Sequence, residues 1–439
     1  MEVIVLLALL SCLAAVLWRW RCTTATSTRR ARVRATIQQR TFKIRNPTLA
    51  HRALIEHANA FSDRPSSLFP VPLLTGRQRR RSDNILSVPY GPHWRILRCN
   101  INSNVLHPSR LGSLAPLQRA VIEDLVAGLS SCCGAAGESD VHAAQQVIQE
   151  LVRGVGQSQD FARSKLAKLV HWRRWRRFLS SRRRMAEVFL PLVAQRRRSL
   201  STTRTSGRGV IPYVDSLLRL RVPNDDDDDT ACGIADAGRE LTDDEMVSLV
   251  SEFLGAGTET VAACVEWALA HLAAQPDVQN KLRHEIINGV GNKGALICDQ
   301  IRHREMTYLH CVVLESLRMH PPVAIAMRQL RVHFMLGDIG RDSKAWLDPH
   351  EFRPERFMPG GGAEDVGPLP GPKEIRMMPF GAGRRFCPGM GLGMFHVKLS
   401  ALVREFEWTP PAGQNIDLTE WNGFFKTMKK PLRAAITGA

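Results

Sequence analysis

Apolar positions recur along most of this chain with the period of a helix, so a mainly α fold is predicted. The strongest such pattern covers residues 243–274. Thr242 and Glu245 form a capping box at its start, which satisfies two orphan amides, and Gln275-Pro276 ends it. A helix of this length spans ~48 Å, which only a large single domain needs. Pro276 opens a second helix to Ile287, closed by Asn288-Gly289. Further helices are predicted over 48–60, 115–129, 141–155, 306–319 and 390–406, and one opens at Pro89-Tyr90-Gly91-Pro92 with Trp94 and Arg98 on it. Residues 84–88 read as a short strand. No internal repeat is present.

Near the N-terminus the pattern changes. Residues 3–18 are apolar except Ser11, and Arg19, Trp20 and Arg21 follow. As a helix this run is ~24 Å long, slightly short of a thin bilayer. Its arginines lie behind it and Glu2 before it, the reverse of a cleaved leader. It reads as a membrane anchor over 1–21 with a lumenal tail and a cytosolic body, against the alternatives of a buried helix or a signal peptide. A basic Thr/Ser/Arg linker, 22–45, comes next, and a single large domain over 46–439.

The composition is that of a globular protein: 439 residues, 44% hydrophobic, which excludes collagen-like, disordered and polytopic membrane chains. Sixty Lys+Arg against 42 Asp+Glu leave +18, a surplus that calls for an acidic partner or surface. Ten cysteines without a CxxC pair exclude a disulfide scaffold and a zinc ribbon, and fit thiols kept reduced. Residues 163–198 are densely basic with Trp172 and Trp175 interleaved, which leaves two readings: nucleic-acid binding, and a solvated face toward an anionic membrane. The membrane reading is preferred and no nucleic-acid partner is expected. Asp225 to Asp229 form an acidic run in an exposed loop.

Three patterns bear on chemistry. Gly255-Ala256-Gly257-Thr258-Glu259-Thr260 puts two glycines in mid-helix at ~1 kcal/mol each. Close approach of a flat ligand or a break in the helix explains this, and so does tight helix packing. Glu315 and Arg318 share a helix face and on their own read as a surface pair. Phe380-Gly381-Ala382-Gly383-Arg384-Arg385-Phe386-Cys387-Pro388-Gly389 sets one cysteine in a glycine-rich loop at the mouth of a predicted helix. There backbone amides and the helix end are expected to stabilise a thiolate. Without a second cysteine or a partner histidine, it suits neither zinc nor a protease nucleophile. It suits the axial position of a haem iron.

The frame Phe380, Gly383, Arg385, Cys387 and Gly389 resembles the haem loop of cytochrome P450 monooxygenases, and the longer stretch Pro368 to Gly391 resembles plant microsomal members of the 89 group in particular. Ala256 to Thr260 resembles that family's oxygen-activation motif. Glu315-x-x-Arg318 with Arg356 in Phe352 to Phe357 resembles its Glu-Arg-Arg triad, and Trp94-x-x-x-Arg98 its propionate-contacting helix. The resemblance covers the chain from about Asn46 onward. It implies a mainly α P450 fold with a small β region, haem b, and Cys387 as the iron ligand. It further implies Arg385, Trp94, Arg98 and either Arg328 or Arg331 at the haem propionates. Ala256 and Gly257 would lie along the haem, with Glu259 and Thr260 relaying protons through water. The implied activity is insertion of one oxygen atom of O2 into a small hydrophobic substrate. Electrons would come from NADPH through cytochrome P450 reductase, on the cytosolic face of the endoplasmic reticulum membrane.

The chain also departs from that family. Residues 22–45 hold no proline-rich hinge or strand pair, and the span between Pro322 and Gly337 is too short for the usual strands. Parts of the small sheet are therefore expected to be missing. The competing reading is a degenerate P450-like chain, haem-bound or apo, that does not turn over.

Overall fold

The computed structural model describes residues 41–64, 84–86, 88–130, 171–202, 212–223, 238–290, 306–329, 332–371, 373–421 and 425–438. The proposed anchor, nearly all of the linker, the helix predicted over 141–155, the aspartate run and Arg331 lie outside them.

Helices dominate. Pro92 occupies the first turn of α1, Pro92–Asn104, where its missing N–H costs nothing. Then come α2, Ala115–Ser130, and α3, Trp172–Thr202. The longest is α4, Asp243–Ala274, which begins and ends where its sequence pattern predicts. The capping box is present, and Arg239 adds a two-pronged ion pair to Glu245 at 2.8 Å on each arm. Burial raises the Glu245 carboxyl, but Arg239 and the Thr242 donors outweigh it and bring the pKa to about 2. Two further helices, α5, Pro276–Val290, and α6, Thr307–Met319, pack on α4. The helix predicted over 390–406 is divided into a turn, Met390–Gly393, and α7, His396–Glu405. The main core lies between α4, α5, α6 and α7, around Ala268, Leu272, Leu282, Leu309, Val313 and Leu399.

Two expectations need correction. The span between Pro322 and Gly337 does hold strands: β2, Ile325–Arg328, and β3, Val332–Met335, form an antiparallel hairpin. Two four-residue strands and a short turn fit a length that longer strands would exceed. Against β3 lies β1, Phe42–Ile44, in parallel, giving the order β1-β3-β2. The strand predicted over 84–88 is absent, because its described residues are turns whose backbone groups are used by side chains. The Ile85 and Leu86 amides donate to Glu252, and the Ile85 carbonyl accepts from Trp94 and Arg385. A separate antiparallel pair joins β4, Phe406–Thr409, to β5, Ala435–Gly438.

The basic stretch forms α3 from Trp172 onward. One side of it, Phe178, Met185 and Phe189, packs against Val247 of α4. Trp175 stacks on Phe178 at 5.8 Å and 19°, so it belongs to this contact. Only Trp172, 48% exposed beneath Arg176, faces outward among the described aromatic residues of the stretch. Among the described residues no helix is long and apolar enough to cross a membrane.

Candidate functional site: a cysteine loop among four arginines

The loop bearing Cys387 is closed by its own backbone. The Cys387 amide donates to the Phe380 carbonyl at 2.9 Å, and the Phe386 amide to Gly383 at 3.0 Å. Gly383 has φ +70°, and a Cβ there would overlap the Leu54 carbonyl oxygen. Leu54 sits in a π-helical turn, Arg52–Glu56, that presses on the loop from the N-terminal side. Gly383 is thus required twice, by its backbone angle and by the close approach.

The surroundings of the sulfur act on its charge in opposite directions. Burial pushes the Cys387 thiol above its ordinary pKa, and the Gly389 amide with Arg98 and Arg64 only partly offsets this. The helical turn behind it is four residues long, too short to supply much dipole. A soft cation that displaces the proton makes it a thiolate.

Four guanidinium groups surround this loop. The Arg98 side chain, on α1, donates to the Phe386 carbonyl at 2.6 Å. Arg385 donates to the Ser62, Ile85 and Val88 carbonyls at 2.6–2.9 Å and lies 4.7 Å from the Trp94 ring centre. Arg328 ends β2, is 2% exposed, and donates to the Met327 carbonyl. Arg64 is the fourth. Burial is the main cause that lowers all four: Arg64 and Arg385 to about 10, Arg328 to about 9, and Arg98 in the same direction. Arg64 and Arg385 also depress Arg328 by repulsion. The groups that oppose this excess are Glu252 and Asp63. The Nε atoms of Arg64 and Arg328 are buried without a hydrogen-bond partner. Buried cations without counter-charge are costly, and a ligand bearing two carboxylates answers both deficits.

On α4, Ala256, Gly257 and Thr258 are exposed, whereas Gly255 is buried. A Cβ on Gly257 would meet nothing within 4 Å, so tight helix packing does not explain this glycine. The expected helix break at Gly257 is absent: α4 is continuous. The Thr260 hydroxyl donates to the Ala256 carbonyl at 2.6 Å, and Thr258 to Leu254 at 2.9 Å. Glu259 is half-buried beside them. The Ala256 carbonyl therefore already has a hydroxyl on it, which ties the threonine to the exposed face.

Behind the loop, Glu315 and Arg318 are a buried cluster and not a surface pair. Arg318 grips both Glu315 oxygens at 2.6 and 2.8 Å, and Arg356 donates to the same carboxylate at 2.9 Å. Their remaining donors go to the carbonyls of Gly340, Pro349, Leu347 and Glu351.

The structure brings Trp94, Arg98, Arg328, Arg385 and the Cys387 loop together from separate parts of the chain. Sequence reasoning missed Arg64 and Glu252. Arg64 belongs to no spaced motif, and its only signal is a lone arginine flanked by Asp63 and Pro65.

The comparisons with known proteins agree with this arrangement. The sequence profile named Cytochrome P450 matches residues 129–434. The chain belongs to the cytochrome P450 family. It is 33% identical to cytochrome P450 89A9 of Arabidopsis thaliana, over 89% of this chain and 82% of that one. A 2-hydroxyisoflavanone synthase of Glycine max is 26% identical over 75% of this chain and 69% of its own. A zebrafish cytochrome P450 structure with progesterone superposes with a TM-score of 0.65 at 20% identity, covering 90% and 93% of the two chains. This P450 chain therefore has the mainly helical fold of a haem-thiolate monooxygenase family. The arginine cradle and the half-buried thiol fit that group: two unpartnered Nε atoms for its carboxylates, and one sulfur for its iron.

Proposed function

We propose that this chain is a membrane-anchored haem-thiolate monooxygenase that inserts one oxygen atom of O2 into a small hydrophobic organic substrate. Electrons come from NADPH through cytochrome P450 reductase. The observation that carries the reading is the convergence of four arginines, Arg328 and Arg385 buried and Arg64 and Arg98 half-buried, on one half-buried thiol. Haem b, when bound, supplies the redox chemistry that activates O2. Cys387 is its iron ligand, and the Gly389 amide together with Arg98 and Arg64 stabilises the charge on the sulfur. Arg98, Arg385, Arg328 and Arg64 receive the propionates, while Trp94 packs beneath Arg385. Phe380, Gly383 and Gly389 shape the loop. Ala256 and Gly257 keep the helix surface flat. Glu259 and Thr260 hold the water that delivers protons, Thr260 by exchanging its bond to Ala256. Residues 1–21 form the anchor in the endoplasmic reticulum membrane, 22–45 the linker and 46–439 the catalytic domain on the cytosolic face. The +18 charge favours the acidic surface of a flavoprotein donor and anionic lipid.

The test is the spectrum of the reduced protein with carbon monoxide. The full chain should show the red-shifted Soret band of thiolate-ligated haem, and Cys387→Ala should lose it. An unchanged band in that variant would overturn the ligand assignment. A chain that binds haem with the correct band yet consumes no NADPH with reductase across a substrate panel would favour the degenerate reading.

A further inference from the structure

Glu252 lies on α4, one turn ahead of the exposed Ala256 to Thr260 face, and none of the motifs above includes it. Its carboxylate accepts the Ile85 amide at 2.9 Å on one oxygen and the Leu86 amide at 2.7 Å on the other. The same Ile85 presents its carbonyl to the Trp94 indole N–H at 3.2 Å and to Arg385 at 2.9 Å. One peptide segment thus stands between an acidic side chain on the long helix and two groups of the arginine cradle. The described residues of 84–88 form no strand, so side chains take over the backbone partners that a sheet would supply. Asp63 contributes from another side: it accepts the Tyr90 amide at 2.6 Å and lies 3.9 Å from Arg385.

We propose that Glu252 is a positioning residue: by clamping the Ile85 and Leu86 amides it holds Trp94 and Arg385 in the register that retains the carboxylates of the prosthetic group. This rests on the haem reading above. A carboxylate suits the task because only an ionised acid accepts on both oxygens with nothing left to donate. Burial pushes the Glu252 carboxyl up to about 7, against the two amides and the charges of Arg64 and Arg385. Arg64, Arg385 and Tyr213 are the titratable groups that sense it. Above pH 7 the clamp is ionised and closed. Below it, one oxygen carries a proton and faces an amide donor, so one of the two bonds is lost.

The experiment measures haem release from the full chain to an acceptor globin, from pH 6 to 8.5. Wild type should release haem slowly above pH 7 and faster below. Glu252→Gln, equal in size but able to accept only one amide, should release it about tenfold faster at pH 8, the scale of an outer-sphere substitution at a metal site, with a flattened pH profile. Glu252→Asp should recover part of the retention and the pH dependence. In each variant the haem that remains should keep the thiolate Soret band. Glu420→Gln, which weakens the ion pairs to Arg341 and Lys426 and touches none of the cradle residues, controls for general loss of stability and should release haem like wild type. If Glu252→Gln matches wild type in rate and pH profile, the clamp is wrong while the haem reading stands. If wild type takes up no haem, the haem reading itself fails.

Discussion

A buried guanidinium with nothing to accept from it destabilises the protein that carries it, unless a ligand later supplies the acceptor. Arg64 and Arg328 meet that condition at one atom each, a buried Nε lacking a partner. Replacing Arg64 with Met should therefore have opposite effects in the two states. Haem-free protein should gain about 1 kcal/mol in thermal or urea unfolding, because a desolvated charge with an unpartnered Nε, repelled by Arg98, is gone. Haem retention should fall about tenfold, because a charge-assisted bond worth roughly 1.5–3 kcal/mol is gone. Loss of stability in the haem-free variant would contradict the view that Arg64 waits for an acceptor. At Thr260, removing the hydroxyl with Thr260→Ala should leave haem binding intact and raise peroxide formed per NADPH consumed. Unchanged coupling would count against its proton-delivery role. At this scale the sequence was readable wherever chemistry fixes spacing. Cys387 with Gly383 and Gly389, or Trp94 with Arg98, announce themselves because a loop or a helix turn sets their distances. Arg64 and Glu252 do not, since what defines them is tertiary: each meets residues far away in sequence through a turn of no regular pattern.

Among the elements, α6 carries the buried cluster that ties it to the segment from Gly340 to Arg356. Glu315 is fully buried and serves two arginines and the Arg353 amide. Glu315→Ala would strand two cations, and about 3–5 kcal/mol of stability should be lost in denaturant unfolding. Where α6 ends, His320 meets α4. Its Nδ1 faces Glu420 at 2.9 Å and so carries the proton, leaving Nε2 to accept from His271 Nε2 at 2.9 Å. His271 Nδ1 is then a bare, buried nitrogen. Burial lowers His271 to about 3, helped by His320 and Arg318, and burial lowers His320 as well in spite of Glu420. A histidine whose folded pKa is depressed keeps its contribution above the unfolded value near 6.5 and loses it as the pH falls toward the folded one. Stability should drop between pH 6.5 and 4 by up to about 1.4 kcal/mol per pH unit for each proton taken up. A flatter slope in His271→Gln would assign this to the pair, and a slope equal to wild type would not. Periodicity and caps placed α4, α5 and α6 within a few residues. They failed at 84–88, where side chains replace a strand partner, and at 322–337, where two very short strands suffice.

On the scale of the whole molecule, the site is assembled from distant parts. Haem should therefore act as a staple: uptake should raise the melting temperature, by an amount that grows with haem concentration, because only the folded chain binds it. An equal melting temperature with and without haem would mean the cradle is not formed. The fold class was legible because so much of the chain repeats every 3.6 residues, whereas the meeting of the cradle's parts was legible only through a resemblance. Arg385 donates to the Ser62 carbonyl across 323 residues, and Gly383 rests against Leu54. On the ribosome, the early half of this joint emerges long before its mate, and no nascent chain halted ahead of Cys387 owns an iron ligand in this loop. With Cys387 as the proposed iron ligand, cofactor capture would belong to the closing moments of synthesis, and a chain terminated upstream of it should fail to take colour.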